Sequence, residues 1–345
     1  MSERSLKEEQ KQGGIMKIGI LILAFFAILA VALSLQADSK FSGDMIGEYY
    51  YVAQSHNDSI EGNNGFWFRR IYFTCDNKPD DKIRIRLRIE MGSPGDFSTK
   101  SKLIPAVKNA SISYKLTPSK KAVFGIQSPP TFEKIEHIWG YRSLEKTPLD
   151  MQKWASSRDF GISLSGKKSF FSYNIMFGNN SSNKSETDKA KKIYTSVGIT
   201  PLKGVYFEFY GDYGGINSDK KKDYIMQGFA SYSSSPTRIG ILFSRKGDTE
   251  DTVVYNILSG FGVFAIKENI DVIIRYDRMF QANAKGEAIS YIPFSNISPS
   301  SFILAGVSYS IHKNIKIMPN IEYVIYDTSS VSADVYPRLT LYYKW

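Results

Sequence analysis

The chain holds little that would staple a fold or run a reaction. Of its 345 residues one is a cysteine, Cys75, so no internal disulfide can form. Three are histidines, His56, His137 and His312, and none stands in a strand-like stretch beside a nucleophile. A hydrolase of the Ser-His type is left without a positioned base. No Cys/His spacing suits a metal ion and no glycine-rich stretch suits a phosphate group. An enzyme is therefore not expected, nor a metal or a cofactor. Beyond residue 37 no apolar run approaches the ~20 residues that a membrane-crossing helix needs. From Phe41 onward no helical period stands out except in one loop.

What is present begins with an apolar run, residues 18–35, behind Met16-Lys17 and ahead of Ser34-Leu35-Gln36-Ala37. A basic residue, an apolar segment and a small residue at its end make a secretory signal, with cleavage expected near Ala37. The competing reading is a permanent membrane helix. Residues 1–15 are polar and of mixed charge, and Met16 is a second candidate start. The chain thus divides into an N-terminal extension and signal (1–37) and an exported body (38–345). Lys and Arg outnumber Asp and Glu by 44 to 34, a formal charge of +10. Export makes nucleic acid, the usual partner of a basic chain, unsuitable. Aromatic residues reach 14%, including 22 Tyr and 22 Phe. Membrane barrels use aromatics in girdles at both water boundaries. A large soluble β-sandwich is the other composition-level reading.

The connections separate the two. Segments of about ten residues are joined alternately by short turns, beginning at 77–81, 118–121 and 166–168, and long loops, the longest at 130–156. Seven short and eight long connections join sixteen strands, give or take two. Short turns on one side and long loops on the other are the asymmetry of a transmembrane barrel. Many segments alternate: Ile83, Ile85, Leu87, Ile89 and Met91 oppose Lys82, Arg84, Arg86, Arg88 and Glu90. Val205, Phe207, Phe209 and Tyr213 likewise oppose Tyr206, Glu208, Tyr210 and Asp212, and Ile270, Val272, Ile274 and Tyr276 oppose Asp271, Arg275 and Asp277. A charge facing lipid at mid-bilayer costs roughly 2–4 kcal/mol, so the polar rows must face water inside. Backbone in hydrocarbon must be fully hydrogen-bonded, which strands achieve only in a closed barrel. The expected fold is all-β, a transmembrane antiparallel up-and-down β-barrel of about 16 strands with a lumen too wide for wall side chains to fill. Arg69-Arg70 breaks the alternation and calls for a bulge or an outward Arg. Pro319 and Pro337 should sit near a strand end or bulge.

Two features carry the chemistry. Lys82, Arg84, Arg86 and Arg88 form a cationic row on one strand face, about 7 Å between neighbours at ~3.4 Å per residue. Their fields add within a Debye length and favour anions. The alternative is that they pair with carboxylates on neighbouring strands. Glu208 and Arg275 are expected to join them on the pore lining. The loop 130–156 is dense in charge of both signs, including Glu133, Lys134, Glu136, Arg142, Lys146 and Lys153. A loop that long usually has a function, and folding inward would narrow the lumen. The alternative is a lid or an external epitope.

The last strand ends on Leu339, Leu341, Tyr343 and Trp345 on one face. A terminal strand closing on an aromatic resembles the C-terminal strand of Gram-negative outer-membrane barrels, which implies that Leu341, Tyr343 and Trp345 serve as the signal read by the barrel assembly machinery. A nearer resemblance rests on Phe124-Gly125-Ile126-Gln127, on Ser157-Arg158-Asp159-Phe160-Gly161 and its continuation to Gly166, and on Phe171-Ser172-Tyr173-Asn174. These stretches resemble porins of the phosphate-selective (O and P) type, although Phe160 stands where that family has an aliphatic residue. The resemblance implies a sixteen- to eighteen-stranded, usually trimeric channel with a lysine-rich constriction; here the loop balances bases with acids. The expected function is a porin: a passive, water-filled channel in the outer membrane for small hydrophilic solutes, biased to anions such as phosphate. Outer-membrane lipid, lipopolysaccharide and the assembly machinery are its expected partners, with a homotrimer as its expected assembly. A specific or plugged barrel is the alternative.

Overall fold

The computed structural model describes residues 39–100, 102–217, 222–249 and 254–345. The signal segment lies outside the described residues. Sixteen strands run in chain order: β1 (Ser39–Tyr51), β2 (Asn64–Asn77), β3 (Ile83–Gly92), β4 (Ile104–Thr117), β5 (Lys120–Gln127), β6 (Asp159–Lys168), β7 (Phe171–Gly178) and β8 (Lys191–Ile199), then β9 (Val205–Ile216), β10 (Asp223–Ser234), β11 (Thr237–Asp248), β12 (Tyr255–Lys267), β13 (Ile270–Met279), β14 (Ser300–His312), β15 (Ile315–Tyr326) and β16 (Asp334–Lys344). Each pairs with its chain neighbours, and β1 with β16, so the sheet closes into a barrel with no free edge. The seam is antiparallel from Asp44↔Lys344 to Tyr50↔Arg338. It is finished by two backbone bonds, Trp345 N to Gly43 O (3.0 Å) and Gly43 N to Trp345 O (3.1 Å). Closure satisfies the backbone groups that an open sheet would leave unpaired.

The alternation sets the faces. Outward residues are large and exposed, among them Leu87, Ile112, Phe124, Phe209, Ile274, Ile321 and Leu339. Inward residues carry the charges and are mostly buried or half-buried, with Arg84 and Lys121 exposed where the wall faces open space. Among the described residues six register shifts interrupt the ladder, four at strand ends and two within the wall. Between Ile46↔Arg70 and Gly47↔Phe68 the β1–β2 register slips, so Arg69 has no residue opposite it on β1, and both Arg69 and Arg70 are buried. Between Arg88↔Asn109 and Ile89↔Val107 the β3–β4 register slips in the same way at Lys108. A bulge gives one strand an extra residue and re-aims its side chain. Pro337 lies one position past the last β1–β16 pair, as a residue without an N–H should. Pro319 departs from expectation and sits inside β15. The β14–β15 pairing skips the positions opposite it, between Gly306↔Asn320 and Tyr309↔Ile317.

Loops fill part of the lumen. The loop between β5 and β6 forms two short helices, α1 (Glu133–Trp139) and α2 (Pro148–Met151). Its Trp139, Tyr141, Leu144 and Met151 pack with Val263, Ile273, Phe302 and Val324 of the wall. The loop between β13 and β14 adds Ile289, Ile292 and Phe294 to the same core. On the other flank of α1, Phe132, Ile135, Ile138 and Leu149 pack against Phe229, Leu242 and Ile257. The interior of β10 to β13 is therefore dry and packed. The wall of β3 to β7 faces open space.

Candidate functional site

The open space is a chain of cavities along the β3–β7 wall. One, of about 220 Å³, lies between Tyr72, Arg88 and Lys108 on the wall and Glu136, Arg142 and Arg158 on the loop side. A second, of about 240 Å³, runs down the wall past Arg84, Arg86, Ser111, Lys121 and Ser163, with Glu133 and Glu136 opposite. A third, of about 810 Å³, opens toward the short-turn end between Lys134, His137, Tyr173, Tyr206, Glu208 and Tyr342. Glu136 borders all three. The loop therefore packs against inward side chains of the wall, with α1 bordering all three cavities.

The wall side chains are placed by strand register. Arg86 stands opposite Asp76, and Arg88 opposite Thr74. Arg84 and Arg86 share one carboxylate, Asp76, at 2.9 and 2.8 Å. Arg88 donates to the Thr74 hydroxyl at 2.8 Å and lies over the Tyr72 ring. Lys82 precedes β3 and is exposed at the turn-side rim. The expected row of four thus becomes a pair sharing one acid, one guanidinium with no carboxylate partner among the described residues, and a rim lysine. Pairing with a neighbouring strand's carboxylate is thus seen at Arg84 and Arg86 and not at Arg88 or Lys82.

Other expected residues are redistributed. Glu208 borders the third cavity, with its carboxylate accepting from Tyr206 at 2.6 Å. Arg275 does not line the pore. It is 1% exposed, pairs with Asp277 at 2.5 Å, donates to the Lys146 carbonyl and lies between Trp139 and Phe302. The loop covers it, which no local pattern in β13 foretells. In the loop, Glu133, Lys134, Glu136 and Arg142 face the cavities. Lys146 does not; it is buried, and burial together with Arg70 draws its ammonium down to about 8. Lys153 does not either; it donates to the Ala288 carbonyl and ties the two inward loops together. Arg142 is held by Glu136 at 2.6 Å and Asp150 at 3.1 Å.

Sequence reading missed Lys108 and Arg158 as lumen groups. Lys108 enters through its bulge and pairs with Glu90 at 2.6 Å. Arg158 stands just before β6, donates to Asn109 at 3.1 Å and to the Ser157 carbonyl, and has no carboxylate partner among the described residues. The Ser-Arg-Asp stretch was its only sequence signal.

Wall strands stitch the loop in place. Arg69 donates to Glu145 at 2.5 Å, Gln227 to the Thr131 carbonyl at 2.9 Å, Arg238 to the Trp139 carbonyl at 3.2 Å and Lys246 to the Trp154 carbonyl at 3.1 Å. At the seam, Leu341 and Trp345 are 40% exposed on the outer face, and Tyr343 stacks on Trp345 at 5.6 Å.

No family model matches the chain, and no curated protein matches it by sequence. Solved structures do match its shape. An anion-selective porin from Comamonas acidovorans has a TM-score of 0.67 at 12% identity, covering 89% of this chain and 99% of that one. OmpF of Salmonella typhi, in complex with daunomycin, gives 0.64 at 11% identity over 89% and 97%. The outer-membrane channel DcaP of Acinetobacter baumannii gives 0.62 at 11% identity over the same shares. The chain has the closed sixteen-stranded barrel fold of outer-membrane porins.

Proposed function

We propose that this chain is an outer-membrane porin: a passive, water-filled channel for small hydrophilic solutes, biased to anions. The observation that carries the reading is the pair Arg88 and Arg158, two guanidinium groups with no ion pair to a carboxylate among the described residues, beside the two smaller of the three cavities along the wall. Around them the cavity linings hold Arg84, Arg86, Lys108, Lys121, Arg142 and Lys316 against Asp44, Glu133 and Glu136. Carboxylates set behind the lining, Asp76, Glu90 and Asp150, cancel part of the excess. The remaining surplus raises local anion concentration and repels cations. Phosphate is the candidate solute, supported by the resemblance to the O and P type. The solved anion-selective porin of like shape supports the sign of the bias.

The membrane reading extends to the rest of the chain. Residues 1–37 act as extension and cleaved signal, and 38–345 form the barrel. The terminal Leu341, Tyr343 and Trp345 are read by the assembly machinery, and three copies associate in the outer membrane beneath lipopolysaccharide. Catalysis has little support. His56, the histidine with the most partners, has both ring nitrogens engaged by carboxylates, Asp334 at 2.8 Å and Glu287 at 3.2 Å. A plugged or strongly substrate-specific barrel is the second reading, favoured by the packed interior of β10 to β13. Planar-bilayer recording separates these. Stepwise conductance with a reversal potential of anion-preferring sign is expected. No steps would favour the plug, and a cation-preferring sign would remove the anion bias.

A further inference from the structure

We propose that the short-turn rim of the barrel is a binding surface for anionic glycerophospholipid headgroups, with Lys168, Lys203, Lys267 and Lys313 as its charged ligands. Four of the short turns share one pattern. Each sets an exposed lysine within two residues of a large apolar side chain that points into the surroundings: Phe170 (58% exposed), Leu202 (69%), Ile266 (63%) and Ile311 (50%). The four turns are those joining β6 to β7, β8 to β9, β12 to β13 and β14 to β15, so the pattern recurs around the circumference. None of the four lysines has an ion-pair partner among the described residues, and Glu268 is the one acid in these turns. On the loop side some bases are paired, Lys191 with Glu186 at 3.1 Å and Arg278 with Asp327 at 2.5 Å.

A lysine beside an apolar anchor at the edge of a hydrocarbon belt lays its stem along the acyl boundary and its ammonium among headgroups. An anionic leaflet attracts each such charge. A free anion in water would use the lysines and have no use for the four apolar neighbours, so the pattern favours a lipid. The proposal rests on the membrane-barrel reading and is independent of conduction.

The purified full-length barrel is reconstituted in equimolar phosphatidylcholine and phosphatidylglycerol, and the lipids it retains are counted by native mass spectrometry. The wild type is expected to retain phosphatidylglycerol in roughly tenfold excess. The quadruple variant Lys168→Gln, Lys203→Gln, Lys267→Gln, Lys313→Gln should fall toward parity while still migrating as a folded barrel. Should it not fold, the pairs K168Q/K203Q and K267Q/K313Q give the same readout with half the loss. Equal retention of both lipids by the wild type overturns the proposal, as does an undiminished preference in a folded variant. Displacement of the lipid by millimolar glycerol phosphate would reassign the rim to soluble anions and overturn it too. A barrel that selects phosphatidylglycerol yet passes no current leaves this surface intact and removes the channel reading; the converse result removes only the surface.

Discussion

At the scale of single residues, two neighbours on the wall oppose each other in sign. Arg88 makes no ion pair among the described residues, whereas Asp76 neutralises part of Arg84 and Arg86. Arg88→Gln should therefore lower anion preference and Asp76→Asn should raise it, both read as shifts in reversal potential at fixed salt gradient. At high salt both shifts should shrink, since the Debye length falls to about 3 Å at 1 M. No shift in either variant would mean that the row merely fills the wall. His56 supplies a pH-dependent term. Burial favours its neutral ring, but hydrogen bonds and charges from Asp334 and Glu287 outweigh this and hold its pKa above the ordinary 6.5. A raised pKa contributes stability that is complete below 6.5 and is lost as pH climbs through the folded value. The difference in melting temperature between wild type and His56→Gln should thus be largest at pH 6 and shrink at alkaline pH. A difference that grows with pH would contradict this.

At the scale of elements, the inward loop is an internal core. Trp139 is 1% exposed, meets Phe261 edge-on at 5.1 Å between ring centroids and donates from its indole to the Glu145 carbonyl at 2.9 Å. Trp139→Ala should cost about 3–5 kcal/mol of loop docking, the usual range for a buried aromatic. Single-channel records should show larger and noisier current, and protease should reach the loop. The strands themselves were legible in the sequence because a period of two survives any tertiary setting that has one wet and one oily face. The turns expected at 77–81, 118–121 and 166–168 and the loop expected at 130–156 all fall within a few residues of their places. The bulges at Arg69 and Lys108 were only half legible. A doubled arginine announces a break in alternation, while Lys108-Asn109 among small residues does not. Nor did β13 betray that Arg275 is covered: its neighbours alternate like those of an open wall, and the cover arrives from a loop some 130 residues away. The inward course of the β13–β14 loop was missed because Ile289, Ile292 and Phe294 follow no regular period.

At the scale of the whole molecule, everything depends on the seam. Gly43 sits where a Cβ would lie 2.3 Å from the Tyr72 carbonyl oxygen and 2.2 Å from the Trp345 ring. Because the first of these is backbone, it cannot swing aside. Gly43→Val should therefore hinder the meeting of β1 and β16, and the chain should lose the heat-modifiable gel mobility of a closed barrel. Gly228, with open space around its missing Cβ, is the control position at which alanine should be tolerated.

The lopsided interior bears on how such a molecule could be made. Strands β10 to β13 present Ile225, Phe229, Leu242, Ile257 and Ile273 inward, all at most 4% exposed once the loops are seated. An empty cylinder with that lining would hold water against an oily half-wall. Biogenesis is then constrained in its timetable: the β5–β6 and β13–β14 loops must tuck in as the later strands are laid down, because threading them afterwards would mean first stabilising a hollow intermediate that the chain has no means to favour.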